Sequence, residues 1–325
     1  MKKRPVIVVA PNAFKETFSP REAALLIVKG LRQAIDADFI RIPIADGGDG
    51  TLEALRASIG GRKVHVTVTG PMKTRVRAYY LRAGKTAVIE MAKASGLKLV
   101  PPAERNPLLA TSRGTGELIA HAYRAGARRI LLGVGGSATV DGGRGAIGVV
   151  SPAMARSVTV LCDVENPLLG PRGAARVFGP QKGATPPMVE RLEERNRIWA
   201  RELRHRTGVD IRRLKGTGAA GGLPAALVAH GATLVRGADH ILKEAGFPRP
   251  CDFVVTGEGC IDRTSLGGKA VGTVLRLSPA PVVLVCGRCE LKRRAFETGD
   301  RAPDALVRAA RRAGEWIKAR LASGR

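Results

Sequence analysis

Residues 129–143, RILLGVGGSATVDGG, join an apolar run to a polar turn that is rich in glycine. The apolar run at the start predicts a buried strand. Glycine has no Cβ, so backbone N–H groups in such a turn can point inward and form a nest for an anion. In one interpretation the turn binds a phosphate or carboxylate, with Ser137 and Thr139 as hydroxyl donors and Asp141 as a carboxylate. In the other, the glycines only relieve steric crowding at a sharp turn.

Similar turns recur along the chain, most of them directly after an apolar run that predicts a strand. They lie at residues 45–51, 178–185, 216–223 and 256–259. Open α/β sheets bind their ligands outside the carboxyl ends of the strands. We therefore predict a single cleft lined by backbone amides and a few carboxylates. The candidate amides in the three most glycine-rich turns are those of Gly47, Gly48, Gly135, Gly136, Gly221 and Gly222.

The carboxylates near these turns indicate how an anion would be handled. Asp46 and Asp49 flank Gly47 and Gly48, and two carboxylates would repel a phosphate directly. A bridging Mg²⁺, or recognition of hydroxyl groups, explains them better, although Asp49 would also serve as a helix cap. Asp163, at the end of a predicted strand, is a candidate oxygen ligand for the same hard cation. Carboxylates, lysines and glycine turns together suit phosphoryl transfer, which depends on positioning and charge neutralisation.

Length and composition set the limits of the fold. The chain has 325 residues, of which 44% are hydrophobic and 25% charged, and this suggests about two domains. No apolar run reaches the roughly 18 residues of a membrane span, and the first residues read as a strand rather than a signal peptide. The five cysteines are scattered apart from the pair Cys286 and Cys289, for which a metal or redox role is a minor alternative. We expect a cytoplasmic protein without a membrane partner.

The net charge of +26 is the unusual feature of the composition. Such a field attracts polyanions and raises the local concentration of anionic substrates. Aromatic residues make up only 4% of the chain, so platforms for base stacking are scarce. Nonspecific binding of polyanions is therefore expected, whereas specific nucleic-acid recognition is disfavoured.

The order of predicted elements indicates an α/β fold of two α/β domains. Residues 1–60 plus 241–325 are predicted to form a Rossmann/flavodoxin-like parallel sheet with helices on both faces. Alternating runs after Gly60, with no helix between them, predict antiparallel strands. Residues 61–240 are thus predicted to form an inserted domain with a mixed sheet, and the active site to lie in the cleft between the domains. Ser19, Pro20 and Glu22 have the spacing of a capping box and predict a helix start. Residues 39–44 predict the second strand, and residues 118–125 predict the helix that precedes the strand at Ile130.

The motifs, taken in order, resemble those of a known family. Residues 10–16, 45–51, 135–143, 162–170, 178–185 and 257–262 resemble the motif series of the type I glycerate kinases. The resemblance runs from residue 5 to about residue 290. It implies a kinase that uses ATP and Mg²⁺ to phosphorylate D-glycerate, usually at the 2-hydroxyl, giving 2-phosphoglycerate.

The resemblance also suggests roles for individual residues. Lys15 and Lys182 would neutralise a phosphate or the glycerate carboxylate, and Asp46 or Asp141 would orient the acceptor hydroxyl or accept its proton. Asp163 would help to hold Mg²⁺. The remaining candidates for substrate or phosphate binding are the glycines above together with Ser137, Thr139, Glu258, Asp262 and Lys269.

The chain departs from the family pattern in several places. The link between Gly143 and Cys162 is short, the C-terminal part follows the family poorly, and Val140 stands where the family usually has Asn. Thr264 and Ser265 replace a usual Gln-Thr pair. One alternative is therefore a trimmed, catalytically impaired member of the same fold that binds anions or nucleic acid nonspecifically, and another is a kinase for a different small hydroxy acid. The sequence makes no prediction of the oligomeric state.

Overall fold

The structure is a computed structural model that describes residues 4–14, 17–45, 47–48, 50–266 and 270–323.

The chain divides into two compact units. Unit 1 comprises Met1–Asp46, Glu53–Ile59 and Ala238–Arg325, and unit 2 comprises Gly47–Leu52 and Gly60–Gly237. Both ends of the chain therefore belong to unit 1.

The strands and helices alternate along much of the chain. The strands are β1 Val6–Val9, β2 Asp38–Arg41, β3 Arg62–Thr69, β4 Arg75–Ala83, β5 Thr86–Glu90, β6 Arg129–Gly133, β7 Val158–Leu161, β8 Thr233–Val235, β9 Phe253–Thr256, β10 Cys260–Ile261, β11 Val282–Cys286, β12 Arg288–Cys289 and β13 Ala295–Glu297. The helices are α1 Pro20–Arg32, α2 Thr51–Ile59, α3 Ala92–Ser95, α4 Arg113–Arg124, α5 Arg144–Ile147, α6 Pro152–Ala155, α7 Ala174–Phe178, α8 Pro186–Thr207, α9 Leu223–Ala229, α10 Gly237–Glu244, α11 Ala270–Leu277 and α12 Pro303–Ala322. Among the described residues, none of these helices has both the length and the apolar character needed to cross a membrane.

Unit 1 contains a parallel sheet in the order β13-β11-β9-β1-β2. Strand β11 is buried on both faces: Val283 and Val285 pack towards α1 and α12, while Leu284 and Cys286 pack with Val271 of α11. The predicted parallel sheet with helices on both faces is confirmed. Helix α1 begins as predicted, because the Ser19 hydroxyl accepts from the Glu22 amide and the Glu22 carboxylate accepts from the Ser19 amide.

Unit 2 contains a mixed sheet in the order β3-β4-β5-β6-β7-β8. Strands β3, β4 and β5 pair antiparallel, as their alternating sequences predict, and the pairs from β5 to β8 are parallel. The Ile130 strand lies in this sheet and not in that of unit 1. Since β6 lies between β5 and β7, its residues Ile130, Leu131 and Leu132 are fully buried.

Two boundaries differ from the sequence prediction, each for a local reason. The second strand was expected over residues 39–44 but ends at Arg41. The amides of Ile42 and Ile44 still bond to the chain that continues β1, whereas Pro43 has no N–H to donate. Helix α4 begins at Arg113 rather than at Leu118, because Gly114 and Gly116 occur in its first turns. These glycines weaken the helix signal, and close packing requires them, since a Cβ on Gly114 would lie 1.9 Å from the Thr69 carbonyl oxygen.

Candidate active site

In unit 2 the predicted anion turn follows strand β6 and packs closely against another glycine turn. The Gly135 amide donates to the Gly47 carbonyl oxygen at 3.1 Å. A Cβ on Gly135 would lie 2.4 Å from the Gly48 Cα, and a Cβ on Gly47 would lie 2.5 Å from the Leu161 carbonyl oxygen. The structure therefore brings Gly47, Gly48 and Gly135 together, and close backbone packing accounts for glycine at Gly47 and Gly135.

The next residues of the turn have amides that remain available to a ligand. Gly136 is exposed and has a φ of +69°, the left-handed conformation that helps consecutive amides to converge. Among the described residues, no hydrogen-bond acceptor occupies the amide N–H of Gly136 or of Ser137. The Ser137 hydroxyl lies beside these amides. Close packing thus explains the glycine at position 135, whereas anion binding by the Gly136 amide stays a prediction.

Lys182 lies behind this turn. Its side chain is 3% exposed, and Nζ donates to the Ser137 Oγ at 2.8 Å and to the main-chain carbonyl oxygen of Thr139 at 2.8 Å. Burial lowers the pKa of Lys182 to about 7, and the nearby Asp141 carboxylate opposes that shift. The structure brings together Lys182, Ser137 and Thr139, with the lysine side chain inside the fold.

Asp141 is held by donors from two segments. Its Oδ2 accepts from the amide and hydroxyl of Ser112, both at 2.8 Å, and from the Gly145 amide at 3.2 Å. Its Oδ1 accepts from the Gly143 amide at 3.1 Å. The carboxylate therefore joins the start of α4 to the start of α5. The sequence did not single out Ser112, because this partner precedes Asp141 by 29 residues.

The Gly221–Gly222 turn packs against the back of the same segment. Gly221 has a φ of +69°, and a Cβ on it would lie 1.9 Å from the Thr139 carbonyl oxygen. The Gly142 amide donates to the Gly221 carbonyl oxygen at 2.9 Å, and the Thr139 hydroxyl donates to the Ala220 carbonyl oxygen at 3.2 Å. These contacts favour the steric interpretation for this turn.

Glu90 is a functional candidate that the sequence analysis missed. This carboxylate is 3% exposed and accepts from the amides of Gly50 and Leu52 at 3.1 Å and 2.8 Å. Its other oxygen lies 3.3 Å from the Lys93 Nζ. Glu90 thus occupies one amide just before α2 and one in its first turn, and neither of them is available to a phosphate. The sequence signal that could have identified Glu90 is its position at the carboxyl end of a buried strand.

In unit 1 the carboxyl ends of the parallel strands surround a cavity of about 580 Å³. In this sheet β2 lies on one side of β1, and β9 lies on the other. The crossover connections therefore run in opposite directions on the two sides of the β1–β9 pair, so the strand order reverses there. Such a reversal opens a crevice at the carboxyl ends of the strands. At this point the Asn12 Nδ2 donates to the Glu258 Oε2 at 3.3 Å, and both residues are buried.

The lining of this cavity is polar and carries charges of both signs. It includes Glu258, Asp262, Arg288, Asp300 and Arg301, together with the rings of Phe14 and Phe18. The Asp262 Oδ1 accepts from the Thr264 hydroxyl at 2.7 Å and the Ser265 amide at 2.9 Å. These bonds lower the pKa of Asp262. The Thr264–Ser265 pair therefore forms a hydrogen-bonded turn with Asp262.

The other predicted site residues are placed as follows. Lys15, Asp46, Asp49 and Lys269 lie outside the described residues. Asp163 is half-buried just after β7. Burial raises the pKa of the neighbouring Cys162 thiol to about 11, and the Asp163 carboxylate adds to that shift. Over the described ranges, no three His, Cys, Asp or Glu side chains gather closely enough to hold a metal ion.

Val140, the departure from the family pattern beside Asp141, is 1% exposed. It packs in an apolar cluster with Ala175, Val189 and Leu192. A valine is therefore suited to this position.

Comparison with known proteins gives a consistent result. A profile described as the glycerate kinase family matches residues 7–152 and 147–319, and the two segments overlap over residues 147–152, in the short link that follows Gly143. Glycerate 2-kinase of Escherichia coli K12 is 39% identical over 322 residues, covering 86% of this chain and 84% of that protein. Glycerate kinase of Bacillus subtilis 168 is 41% identical, with the same coverage. A crystal structure assigned to glycerate kinase 2 of Salmonella typhimurium LT2 superimposes with a TM-score of 0.81 at 38% identity, covering 98% of this chain and 99% of that one. The chain belongs to the glycerate kinase family.

Proposed function

We propose that this protein is an ATP-dependent kinase that transfers the γ-phosphoryl group of ATP to the 2-hydroxyl of D-glycerate, giving 2-phosphoglycerate and ADP. Relatives named glycerate 2-kinase and glycerate kinase, which match most of the chain, support the proposal. The observation that carries it is the turn at 136–139, where two open amides and a hydroxyl lie in front of a buried lysine. That arrangement suits the carboxylate or phosphate of a small anionic substrate.

We place the nucleotide in the unit 1 cavity. Its volume of about 580 Å³ is that of a site for a nucleotide-sized ligand rather than for a three-carbon acid. Arg288 and Arg301 are suited to phosphate oxygens, and the carboxylates of Glu258 and Asp262 are suited to ribose hydroxyls. The reversal of strand order between β1 and β9 supports the same location.

For the chemical step we propose an in-line displacement. The glycerate hydroxyl oxygen bonds to the γ-phosphorus as the bond to the β–γ bridging oxygen breaks, and ADP leaves. The hydroxyl proton passes to a carboxylate, for which we propose Asp46, because the Asp141 oxygens already accept four hydrogen bonds. Lys15 and Lys182 would balance the charge of the anionic groups. Asp141 then acts as a positioning residue that holds the turn.

Mg²⁺ is expected to accompany ATP in such a reaction, where it shields the phosphate charge. Asp163 is the carboxylate that we propose for it. The described residues form no cluster of three metal-binding side chains, so they do not make up a complete site for the ion.

The decisive test is the release of ADP from MgATP with D-glycerate, L-glycerate, other small hydroxy acids or no acceptor, at moderate salt. We expect turnover with D-glycerate, abolished in Asp46→Asn, and phosphorus NMR of the product to give the 2-phosphate signal. Turnover with another hydroxy acid alone would change the substrate. A folded sample without turnover, and with polyanion binding that falls steeply with salt, would instead support the impaired anion-binding alternative.

A further inference from the structure

The two polar groups that contact the Lys182 Nζ are both neutral. Nζ donates to the Ser137 Oγ and to the Thr139 carbonyl oxygen, and no carboxylate lies within ion-pair distance of it in the described part of the chain. A buried cation without a paired anion is costly. The third N–H of the ammonium has no acceptor among the described residues.

Charged residues of three segments lie near Lys182 in the described part of the chain, and one of them is Arg105, whose main chain packs against Gly183. Asp141, on the turn itself, is the carboxylate that acts on its pKa, which burial holds at about 7. On α7, which packs beside residues 180–182, Arg176 is turned to the surface and paired with Glu190. A pKa of about 7 would leave the lysine partly uncharged at neutral pH when no anion is bound.

We propose that Lys182 takes up a proton when a carboxylate or phosphate group binds to the amides of Gly136 and Ser137 and to the Ser137 hydroxyl, and releases it when the anion leaves. The anion supplies the negative partner that the buried ammonium lacks. Lys182 is thus a positioning residue that makes anion affinity depend on proton concentration near neutral pH. The choice of D-glycerate as the carboxylate rests on the proposed function, whereas the proton coupling does not.

The Ser137 hydroxyl transmits the change to the ligand. An uncharged amine has a lone pair, so the Ser137 O–H can point inward and donate to it. An ammonium has only donors, so Ser137 must accept from Nζ at 2.8 Å, and its own hydrogen is released towards the open side of the turn. Protonation therefore turns the serine into a donor beside the Gly136 and Ser137 amides.

The test is calorimetric titration of the full-length protein at about pH 6 and about pH 8, in two buffers of different ionisation enthalpy. D-glycerate and sulfate are the probes, because neither changes its own protonation in this range. With a lysine pKa of about 7, we expect about 0.9 proton taken up per anion at pH 8 and about 0.1 at pH 6. The Kd should rise about tenfold between these values.

The two probes distinguish the two sources of the anion. Uptake with D-glycerate alone assigns the turn to the substrate carboxylate, and uptake with sulfate alone assigns it to a phosphate group. Either result supports the proposal. Binding without proton uptake, or no binding of either anion, overturns it. Uptake with sulfate would stand even if the ADP assay showed no glycerate turnover, so the two proposals fail separately.

Three variants complete the test. Lys182→Met keeps the length of the side chain without its charge and should bind anions weakly, with no proton uptake. Lys182→Arg stays charged at both pH values and should bind without uptake, so its Kd should not change with pH. Lys215→Met is the matched control, because Lys215 is an exposed lysine of the same unit, paired with Glu165. It should keep the wild-type uptake. Uptake that persists in Lys182→Met would refute the assignment, and the wild-type measurement decides even if a variant fails to fold.

Discussion

Replacing Asp141 should destabilise unit 2 before it affects chemistry. In Asp141→Ala the amides of Ser112, Gly143 and Gly145 lose their acceptor. Each buried amide left without a partner costs about 1–3 kcal/mol, so the loss of three acceptor contacts should lower the free energy of unfolding by at least about 3 kcal/mol. Asp141→Asn retains one oxygen, which can still serve the Ser112 side, and should lose only about 1–2 kcal/mol.

Urea unfolding monitored by Trp199 fluorescence is the assay. The Trp199 indole donates to the Gly142 carbonyl oxygen at 2.8 Å and therefore reports on this turn. The other tryptophan of the chain, Trp316, belongs to unit 1 and is replaced by Phe in every sample, so that the signal follows unit 2 alone. An unchanged unfolding midpoint in Asp141→Ala, together with lost turnover, would refute the structural role and assign Asp141 to catalysis.

Three further predictions concern single residues. Gly221→Ala should abolish anion binding or folding of unit 2, because no methyl group fits at this position. The control is Gly208→Ala, also at positive φ but with nothing within 4 Å, which should lower the free energy of unfolding by about 1 kcal/mol. Equal urea midpoints for the two variants would contradict this prediction. Glu90→Gln should weaken the cap on two amides of α2 and lower the unfolding free energy by about 1–2 kcal/mol in the Trp199 assay; an unchanged midpoint would exclude a capping role. Ser19→Ala should lower the stability of unit 1 by about 1 kcal/mol, measured by Trp316 fluorescence in a protein that retains Trp316 and carries Trp199→Phe; an unchanged midpoint would contradict the cap.

Local patterns predicted the elements well, because they depend on neighbouring residues. The capping box at Ser19 and the alternating strands after Gly60 both occur as predicted. Helix α4 was placed late, because tertiary packing requires Gly114 and Gly116 where propensity alone disfavours a helix.

The site was only partly predictable, since its contacts join residues far apart in the chain. Lys182 was recognised as a cation, but nothing in residues 178–185 indicates that it is buried against Ser137, 45 positions earlier. Glu90 was missed because the amides that it caps precede it by about 40 residues. Whether a glycine turn binds an anion or only permits close packing depends on the partner segment, which local sequence does not contain.

The pairing of β1 has a consequence for how the chain is made. This strand pairs with β2 on one side and with β9 on the other, and β9 begins only at Phe253. During synthesis the edge of β1 that pairs with β9 therefore stays unpaired until the whole of unit 2 has left the ribosome. Unit 2 has all its strands by Val235 and can fold first. A ribosome that stalls before β9 would thus expose a folded unit 2 together with an amino-terminal segment whose unpaired strand edge can pair with other chains.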